Sequence, residues 1–542
     1  MISIMKNLKK YIGISLMSLA VLSCDEYDSL VDERIDLNPD ITPVTPTGDP
    51  GSADFSNYVA LGASVTAGMM DAAIYDYSEA NSYPVLLATQ MKYAGGGDFT
   101  IPNINSVNGI NAANPSIGRF ILETCSTKNP CECSAGPTSV SIGEAFSAWT
   151  GSGLNNFGVV GLRSVDLGVA GYGTKNPYFG RFAADAATST VLGDAVAAKP
   201  TFFSVFIGGN DVLGWAQSGG TGIVSEGSQA DYLKTSTLTD VATFTAASTN
   251  ALNVMSSGGT VKGVVVNIPP VTYLPFFRAV TWNAIAFDID SDCPSDQEGM
   301  TEGQKDAGTI QILNSSFQRL NAALDGLVAQ MLISEEDAAK RKVNYANGAN
   351  PVLLNDPEIA DYGVYFDALL NAEVITEQDR AILAPFEQSR TATSEDLLVF
   401  TAATVLGTTP KGYPETVVIG VSYPADDSLF LSKSEQDLIN SRILDFNSAL
   451  KTQVDAQGLA FFDSHTYFSL AALNGGINVG SIKLDLDFRP NGIYSTDGVH
   501  LNARGQALMT NEIIKAIEEK YGSTIPKISA DAVLAKTGVF FQ

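Results

Sequence analysis

Histidine and basic residues are scarce in this chain of 542 residues. It contains two His, His465 and His500, which nearly excludes a metal centre built on several imidazoles. Lys and Arg number 32 against 59 Asp and Glu, and the formal net charge is −27. Because such a charge repels phosphate backbones, nucleic acid is excluded as the default partner. Any catalysis that needs an imidazole has two residues to choose from.

Long apolar runs are absent after Leu22, and the run before it, residues 12–22, is too short to span a bilayer. Together with its basic start, this run predicts a signal peptide over residues 1–23. The three residues before Cys24, Val-Leu-Ser, resemble a bacterial lipobox and predict lipidation of Cys24. An ordinary cleaved signal with an incidental Cys is the alternative.

Residues 24–54 are predicted to form a solvated linker, because they are rich in Asp, Thr and Pro and lack apolar periodicity. The acidic stretch 25–28 resembles the surface-export signals of lipoproteins of the Bacteroidetes type. We therefore expect a lipid-anchored protein of the cell envelope, in the outer membrane. The sequence leaves open which face of that membrane it occupies.

The other cysteines are Cys125, Cys131, Cys133 and Cys293. An even number in an exported chain is typical of structural disulfides, and their pairing stays open. Zinc is the alternative, but the spacing Cys-x5-Cys-x-Cys suits it poorly and no His lies nearby.

Short apolar runs that end in small residues organise the chain from residue 55 onward. The strand candidates are 58–61, 202–207, 261–268 and 459–462. Fully apolar strands of this kind are typical of a parallel sheet covered by helices. The helix candidates are 310–332, 433–455 and 503–520. The pattern predicts an α/β fold, in which functional residues collect at the carboxyl ends of the strands.

One domain is predicted over residues 55–526, followed by a C-terminal tail at 527–542. Residues 275–430 interrupt the alternation of strands and helices with acidic helical segments and loops. The acidic helix candidates are 334–342 and 376–384. This stretch is predicted to be an insertion or a lid-like subdomain, without a second independent core.

Four short blocks carry the candidate chemistry, and Ser64 in Gly62-Ala63-Ser64 is the first. A Ser directly after a buried strand can expose its hydroxyl at the sheet edge. If a helix starts there, its backbone N–H groups point at whatever the hydroxyl attacks. The alternative is a plain helix cap.

The second block is Asp497-Gly498-Val499-His500. An Asp three residues before a His can hold one ring nitrogen while the other faces a nucleophile. The alternative is a capping Asp beside a surface His. His465, in Asp463-Ser464-His465, is a rival base that ranks lower.

The third and fourth blocks could supply hydrogen-bond donors for an oxyanion. Asn210, after Gly208-Gly209, offers a neutral side-chain N–H, and Gly161 can bring a backbone N–H close to a substrate. Taken alone, the block of Asn210 would be a plain Asx turn, and Gly161 would be an ordinary loop glycine.

In the order Ser, Gly, Asn and Asp-x-x-His, the four blocks resemble the SGNH hydrolases, also called the GDSL family of esterases and lipases. The similarity covers residues 55–275 and 415–522. Further similar segments are 176–179, 200–203, 267–272 and 497–505. The resemblance implies a flavodoxin-like three-layer α/β/α sandwich with a mostly parallel sheet.

The resemblance also implies roles. Ser64 would be the nucleophile, His500 its base and Asp497 the residue that orients the imidazole. The oxyanion hole would combine the backbone N–H groups of Ser64 and Gly161 with the Asn210 side chain. Gly171 is the second choice for the glycine. No cofactor and no metal are implied.

Two residues depart from the family pattern. Ala63 replaces the acid of Gly-Asp-Ser, which bears on the rigidity of the loop more than on the chemistry. Val160 stands where relatives often have Pro, which weakens the argument for Gly161. The competing α/β-hydrolase class needs Gly-x-Ser-x-Gly at mid-chain, and the sequence has no such pentapeptide.

The function implied is hydrolysis of carboxylic esters through a covalent acyl-enzyme. The ester substrate stays open among lipids, acetylated glycans and small soluble esters. The alternative is a non-catalytic surface lipoprotein that binds a glycan or a protein partner on the same fold.

Overall fold

The computed structural model describes residues 46–538 except 112–113, 115, 123–136, 142, 145–146 and 294–299. The predicted signal peptide, Cys24, residues 24–45 of the linker and Cys125, Cys131 and Cys133 lie outside the described residues. The chain divides into two units, Met1–Thr47 and Gly48–Gln542, and every element described below belongs to the second.

A parallel sheet of five strands forms the centre of this unit. The strands are β1 Tyr58–Gly62, β2 Asn156–Gly158, β3 Phe202–Phe206, β4 Lys262–Val266 and β5 Ala460–Phe462. Their order is β2-β1-β3-β4-β5, and every neighbouring pair is parallel. The chain passes from β1 to β2 on one side and then crosses to β3 on the other. Such a reversal opens a crevice at the carboxyl ends of the two central strands.

The strands form because their residues are apolar on both faces. All five residues of β1 are buried, as are the first four of β3 and the last four of β4. Ser204 is a polar exception within β3, and its hydroxyl is 2.7 Å from that of Tyr58. Burial on both faces explains why the sequence shows continuous apolar runs here and no alternation.

Fifteen α-helices lie in the described residues, and the mixed α/β class is confirmed. They are α1 Ser64–Ala67, α2 Asp76–Ala80, α3 Tyr83–Met91, α4 Pro177–Gly180, α5 Val191–Ala197, α6 Asn210–Gln217, α7 Val241–Met255, α8 Glu302–Ala329, α9 Glu335–Arg341, α10 Gly363–Asn371, α11 Glu377–Leu383, α12 Lys433–Gln457, α13 Ser464–Leu473, α14 Ala503–Tyr521 and α15 Ala530–Leu534. Helix α14 packs on β4, β5 and α3, whereas α5 packs on β1 and β2. Helices α7 and α12 pack on each other. None of the helices in the described ranges combines the length and the apolar composition needed to cross a bilayer.

Helix α8 begins earlier than its apolar periodicity predicts. The periodic pattern starts at Ile310, but the helix starts at Glu302, directly after a capping box formed by Thr301 and Gln304. Apolar spacing marks the buried face of a helix, whereas the cap decides where it starts.

The predicted insertion contains a hydrophobic cluster of its own, which differs from the expectation of no second core. Leu320, Leu324 and Phe366 are at most 3% exposed and belong to this cluster, whereas Val352 and Leu398 join the main core. The strand pairs of this region are Ile285–Phe287 with Gly348–Asn350, Leu353–Asn355 with Ser389–Thr391, and Leu397–Leu398 with Phe430–Leu431. Cys293 takes part in a disulfide.

Within the described part of the chain, four further two-stranded sheets lie outside the central sheet and the insertion. They are Ala73–Ile74 with Ile110–Asn111, Ile117–Leu122 with Pro137–Ser141, Ile223–Val224 with Thr237–Leu238, and Ile477–Val479 with Ile482–Leu484. The first of these pairs begins directly after the turn that follows α1, so it lies close to Ser64 in the sequence.

Glu79 in α2 is a buried acid close to α1. It is 4% exposed and lines a small cavity together with Ala67 of α1 and Gly158 of β2. Its Oε2 accepts a hydrogen bond from the Ile104 N–H at 3.0 Å. Burial raises the pKa of Glu79 from 4.5 to about 7, although this N–H and the charge of Arg181 lower it.

We expect Glu79→Gln to stabilise the protein above pH 7. The unfolded chain releases this proton near pH 4.5 and the folded chain near pH 7, so the free energy of unfolding falls as the pH rises between them. The uncharged amide keeps the acceptor for Ile104 and removes this loss, which amounts to about 3 kcal/mol at most. Thermal melts in a pH series measure the effect, with the exposed Glu377→Gln as control. A Tm difference that stays constant from pH 4.5 to above pH 7 would contradict the prediction.

Candidate active site

Ser64 lies at the carboxyl end of β1 and is the first residue of α1. Gly62, the last residue of β1, lies so close to β3 that a Cβ at this position would be 2.6 Å from the Phe206 carbonyl oxygen. Ser64 is 8% exposed. A helix begins at this Ser, and the N-cap residue is Ala63.

Ser64 is hydrogen-bonded to a His that lies 436 residues away in the sequence. Its hydroxyl oxygen is 2.8 Å from Nε2 of His500. On the other side of the ring, Nδ1 of His500 is 2.8 Å from Oδ2 of Asp497. His500 and Asp497 are each 8% exposed. The three side chains form a continuous chain from hydroxyl through imidazole to carboxylate.

Asp497 is held by backbone donors as well as by the imidazole. Its Oδ1 accepts from the N–H groups of Val499 at 2.8 Å and His500 at 2.9 Å, and its Oδ2 accepts from the Ala72 N–H at 2.8 Å. Burial acts to raise the pKa of Asp497, but the charge of His500 and these hydrogen bonds outweigh it and lower the pKa to about 2. The carboxylate is therefore ionised at neutral pH, which favours a proton on Nδ1 and leaves Nε2 free to accept from Ser64.

Asn210 is the first residue of α6 and follows the turn at the end of β3. Its Nδ2 donates to the carbonyl oxygen of Leu162 at 3.0 Å. An amide group carries two hydrogens, and this bond uses one of them. Asn210, Ser64 and His500 line one cleft at the carboxyl ends of β1 and β3, the point where the strand order reverses.

Gly161 lies in the loop that Asn210 binds. The Leu162 N–H donates to the Val159 carbonyl, and Gly161 sits inside this turn with φ +75°. The Val160 carbonyl accepts from Nδ2 of Asn176 at 2.9 Å. Because the C=O and N–H of a trans peptide point in opposite directions, the Gly161 N–H points away from Asn176. Gly161 is not among the residues that line the cleft.

Gly171, the second choice for the glycine donor, has its N–H occupied. It donates to the Ser189 carbonyl oxygen at 3.0 Å. A backbone N–H that is already used within the fold has no hydrogen left for an oxyanion. The prediction of Gly171 as an alternative donor is therefore wrong.

The cleft next to Ser64, called here the Ser64 cleft, has a solvent-accessible volume of about 80 Å³. Its polar lining residues are Ser64, Asn210 and His500. The other lining residues are Ala63, Val65, Phe206, Gly209, Leu213, Pro269, Val271, Leu274 and Val499. The described walls thus include no Lys, Arg, Asp or Glu, and the cleft suits an uncharged, largely apolar group.

His465, the rival base, has a different environment. It lies in the first turn of α13, and its backbone N–H donates to Oδ1 of Asn267 at 3.1 Å. Burial lowers the pKa of His465, although the charge of Asp463 raises it. The imidazole that is bonded to Ser64 belongs to His500, in agreement with the lower rank of His465.

Asp211 is a residue of the site that the sequence reasoning missed. Its side chain is fully buried, and it accepts from the Ser164 N–H at 2.8 Å and from the Ser164 hydroxyl at 2.6 Å. It therefore ties the loop after β2 to the start of α6. Burial raises the pKa of Asp211 to about 6, against the lowering by these hydrogen bonds. An Asp directly after the Asn of Gly-Gly-Asn was the available signal.

Comparisons with known proteins add no relative. No protein-family model, no curated protein and no solved structure matches this chain. Within the described ranges, no group of three or more His, Cys, Asp or Glu is placed to hold a metal ion.

Proposed function

We propose that this protein is a serine hydrolase that cleaves carboxylic esters. The observation that carries the proposal is the hydrogen-bonded chain from Ser64 through His500 to Asp497, with distances of 2.8 Å at both steps. A hydroxyl bonded to an imidazole, which is in turn oriented by an ionised carboxylate, is the arrangement that makes a Ser nucleophilic.

The reaction proceeds in two halves. The Ser64 oxygen bonds to the ester carbonyl carbon while Nε2 of His500 takes the hydroxyl proton. The tetrahedral intermediate then expels the alcohol, which receives that proton, and leaves an acyl group on Ser64. A water molecule then attacks the acyl carbon while Nε2 of His500 takes one of its protons. The second tetrahedral intermediate breaks the bond to the Ser64 oxygen, which receives that proton from His500, and the carboxylic acid leaves.

The negative charge of the intermediate needs donors on the opposite side of the carbonyl. The Ser64 N–H at the start of α1 is one of the helix N–H groups without a partner within the helix. The second amide hydrogen of Asn210 is another donor, and Gly161 remains the proposed third. These three donors are the oxyanion hole of the proposed mechanism.

The topology supports assignment to the SGNH hydrolases. The order β2-β1-β3-β4-β5 corresponds to the flavodoxin-like order of doubly wound sheets. Ser64, Gly161 and Asn210 follow β1, β2 and β3 in turn, and the Asp497–His500 turn precedes α14. We include the three-layer α/β/α sandwich of that family in this proposal.

The Ser64 cleft narrows the substrates that we propose. Its walls are apolar, and burying an apolar surface is favourable by about 25 cal/mol per Å². Esters with an apolar acyl group, such as lipids and small aliphatic esters, therefore fit better than charged acyl groups. Acetylated glycans remain candidates because an acetyl group is small and uncharged.

We keep the lipid anchor at Cys24 and the outer-membrane location as parts of the proposal.

A fluorophosphonate probe tests the class of protein directly, because it reacts with an activated Ser. The proposed hydrolase should carry one covalent label at Ser64, identified by peptide mass spectrometry. A non-catalytic lipoprotein that binds a glycan or a protein partner should carry none. Absence of a label at Ser64 in the folded protein would contradict the proposal.

We expect Asn210→Ala to lower kcat for p-nitrophenyl acetate about a hundredfold. The change removes one donor to the oxyanion, and the loss of one such donor typically costs on the order of 3 kcal/mol. Initial rates at saturating substrate measure it. Asn321→Ala is the control, because it removes a side-chain amide that donates to the Val343 carbonyl oxygen at 3.0 Å and does not line the cleft. Equal kcat values for the two variants would contradict the role of Asn210.

A further inference from the structure

The residues after α1 form a tight turn in a sparsely populated backbone conformation. Asp71 and Ala72 have φ values of +53° and +61°, and neither is a glycine. The N–H and C=O groups of Met70 and Ala73 bond to each other at 3.0 and 2.9 Å, which closes a two-residue turn. Turns with positive φ at both central residues normally carry Asn-Gly or Asp-Gly. A non-glycine residue persists there only where the surroundings enforce it.

The turn brings a hydrogen-bond donor to Asp497, the carboxylate that orients the His500 imidazole. The N–H of Ala72 donates to Oδ2 of Asp497 at 2.8 Å. The same oxygen atom bonds to Nδ1 of His500. The direction of the Ala72 N–H therefore helps to set the orientation of the carboxylate that faces the imidazole.

The Asp71 side chain connects this turn to the segment that carries Asp497. Asp71 is 2% exposed, and its Oδ1 accepts from both the N–H and the hydroxyl of Thr496, at 3.0 and 2.8 Å. Its Oδ2 accepts from the Tyr75 hydroxyl at 2.6 Å. The Asp71 N–H donates to the Ser495 hydroxyl at 2.9 Å. Ser495 and Thr496, the two residues directly before Asp497, are thus hydrogen-bonded to the backbone N–H and the buried carboxylate of Asp71.

We propose that Asp71 is a positioning residue, which holds the Asp71–Ala72 turn on Thr496 and so fixes Asp497 and His500 relative to Ser64. The inference deepens the proposed function and rests on it. Asp71 does not touch the reacting atoms. It acts by fixing the geometry of the Asp497 carboxylate, which in turn orients the His500 imidazole.

Two substitutions separate this role from a general effect on folding. Asp71→Ala removes all acceptors of the side chain. Asp71→Asn keeps an oxygen for Thr496, and Asn tolerates a positive φ. We expect Asp71→Ala to lower kcat between about tenfold and a hundredfold with KM within about twofold, and Asp71→Asn to restore most of kcat. Asp356→Ala is the matched control, because it removes a buried carboxylate that is bonded to Arg390 in the insertion.

The NMR signal of the His500 Nδ1 proton gives a readout that needs no activity. The chain has two His, so ¹⁵N-histidine labelling with a His465→Gln variant assigns it. Asp71→Ala should shift or broaden this signal, whereas Asp71→Asn and Asp356→Ala should leave it unchanged. If the wild type hydrolyses no ester but the signal responds in this way, the proposed function fails and the positioning role stands.

Three results would overturn the inference: an unchanged signal and kcat in Asp71→Ala, no recovery in Asp71→Asn, or an equal loss in Asp356→Ala. If Asp71→Ala does not fold, Tyr75→Phe decides, because it removes one hydrogen bond to the same carboxylate. It should lower kcat by a smaller factor and broaden the signal. An unchanged signal and kcat in Tyr75→Phe would equally overturn the inference.

Discussion

Ser64→Ala is expected to abolish ester hydrolysis. The substitution removes the oxygen that bonds to the acyl group, while the backbone N–H of residue 64 and the His500 imidazole remain. Loss of the nucleophile in an enzyme of this kind lowers kcat by about 10⁶-fold. Release of p-nitrophenolate from p-nitrophenyl acetate measures the change.

The chain offers a closely matched control for this experiment. Ser464 is also the first residue of a helix that follows a strand of the central sheet, and it is fully buried. Its hydroxyl donates to the Asn267 carbonyl oxygen at 2.5 Å. Ser464→Ala should keep both hydrolysis and fluorophosphonate labelling, whereas Ser64→Ala should lose both. Activity near that of the wild type in Ser64→Ala would remove the hydrolase assignment.

Asp497→Asn is expected to lower kcat by about 10⁴-fold with little change in KM. An amide at this position can present its NH₂ group to Nδ1 of His500, and the ring then carries its proton on Nε2. That proton faces Ser64, and the imidazole can no longer accept the hydroxyl proton. The pKa of Asp497, lowered to about 2, makes its charge constant over the usual assay range, so the loss should appear at every pH tested.

Asp463→Asn is the control for this second experiment. Asp463 stands two residues before His465, and its Oδ2 accepts from the Thr466 hydroxyl at 2.7 Å. The variant should keep its kcat. A large loss in Asp463→Asn together with normal activity in Asp497→Asn would transfer the chemistry to His465.

The central sheet could be predicted because burial on both faces leaves a local signature. β3, β4 and β5 lie within the strand candidates of the sequence, and β1 extends one residue beyond its candidate, to Gly62. β2 escaped prediction, because it has three residues and begins with Asn156. The start of α8 was missed because a polar cap precedes its apolar residues.

The residue types of the site could be predicted, but not every contact. Asp497 and His500 are three residues apart, so their pairing follows from a local turn. The occupied N–H of Gly171 and the buried bonds of Asp211 and Asp71 depend on residues far away in the sequence. The turn at Asp71 and Ala72 also lacks the glycine that would mark it.

The uncharged walls of the Ser64 cleft have a kinetic consequence. Ester hydrolysis converts a neutral molecule into a carboxylate, and under the proposed function this carboxylate would form inside a protein whose formal net charge is −27. With no cation among the described wall residues to retain it, the anion is driven outward by the field of the whole molecule. Turnover should therefore resist inhibition by accumulated acid, and added salt should weaken that resistance by screening the field.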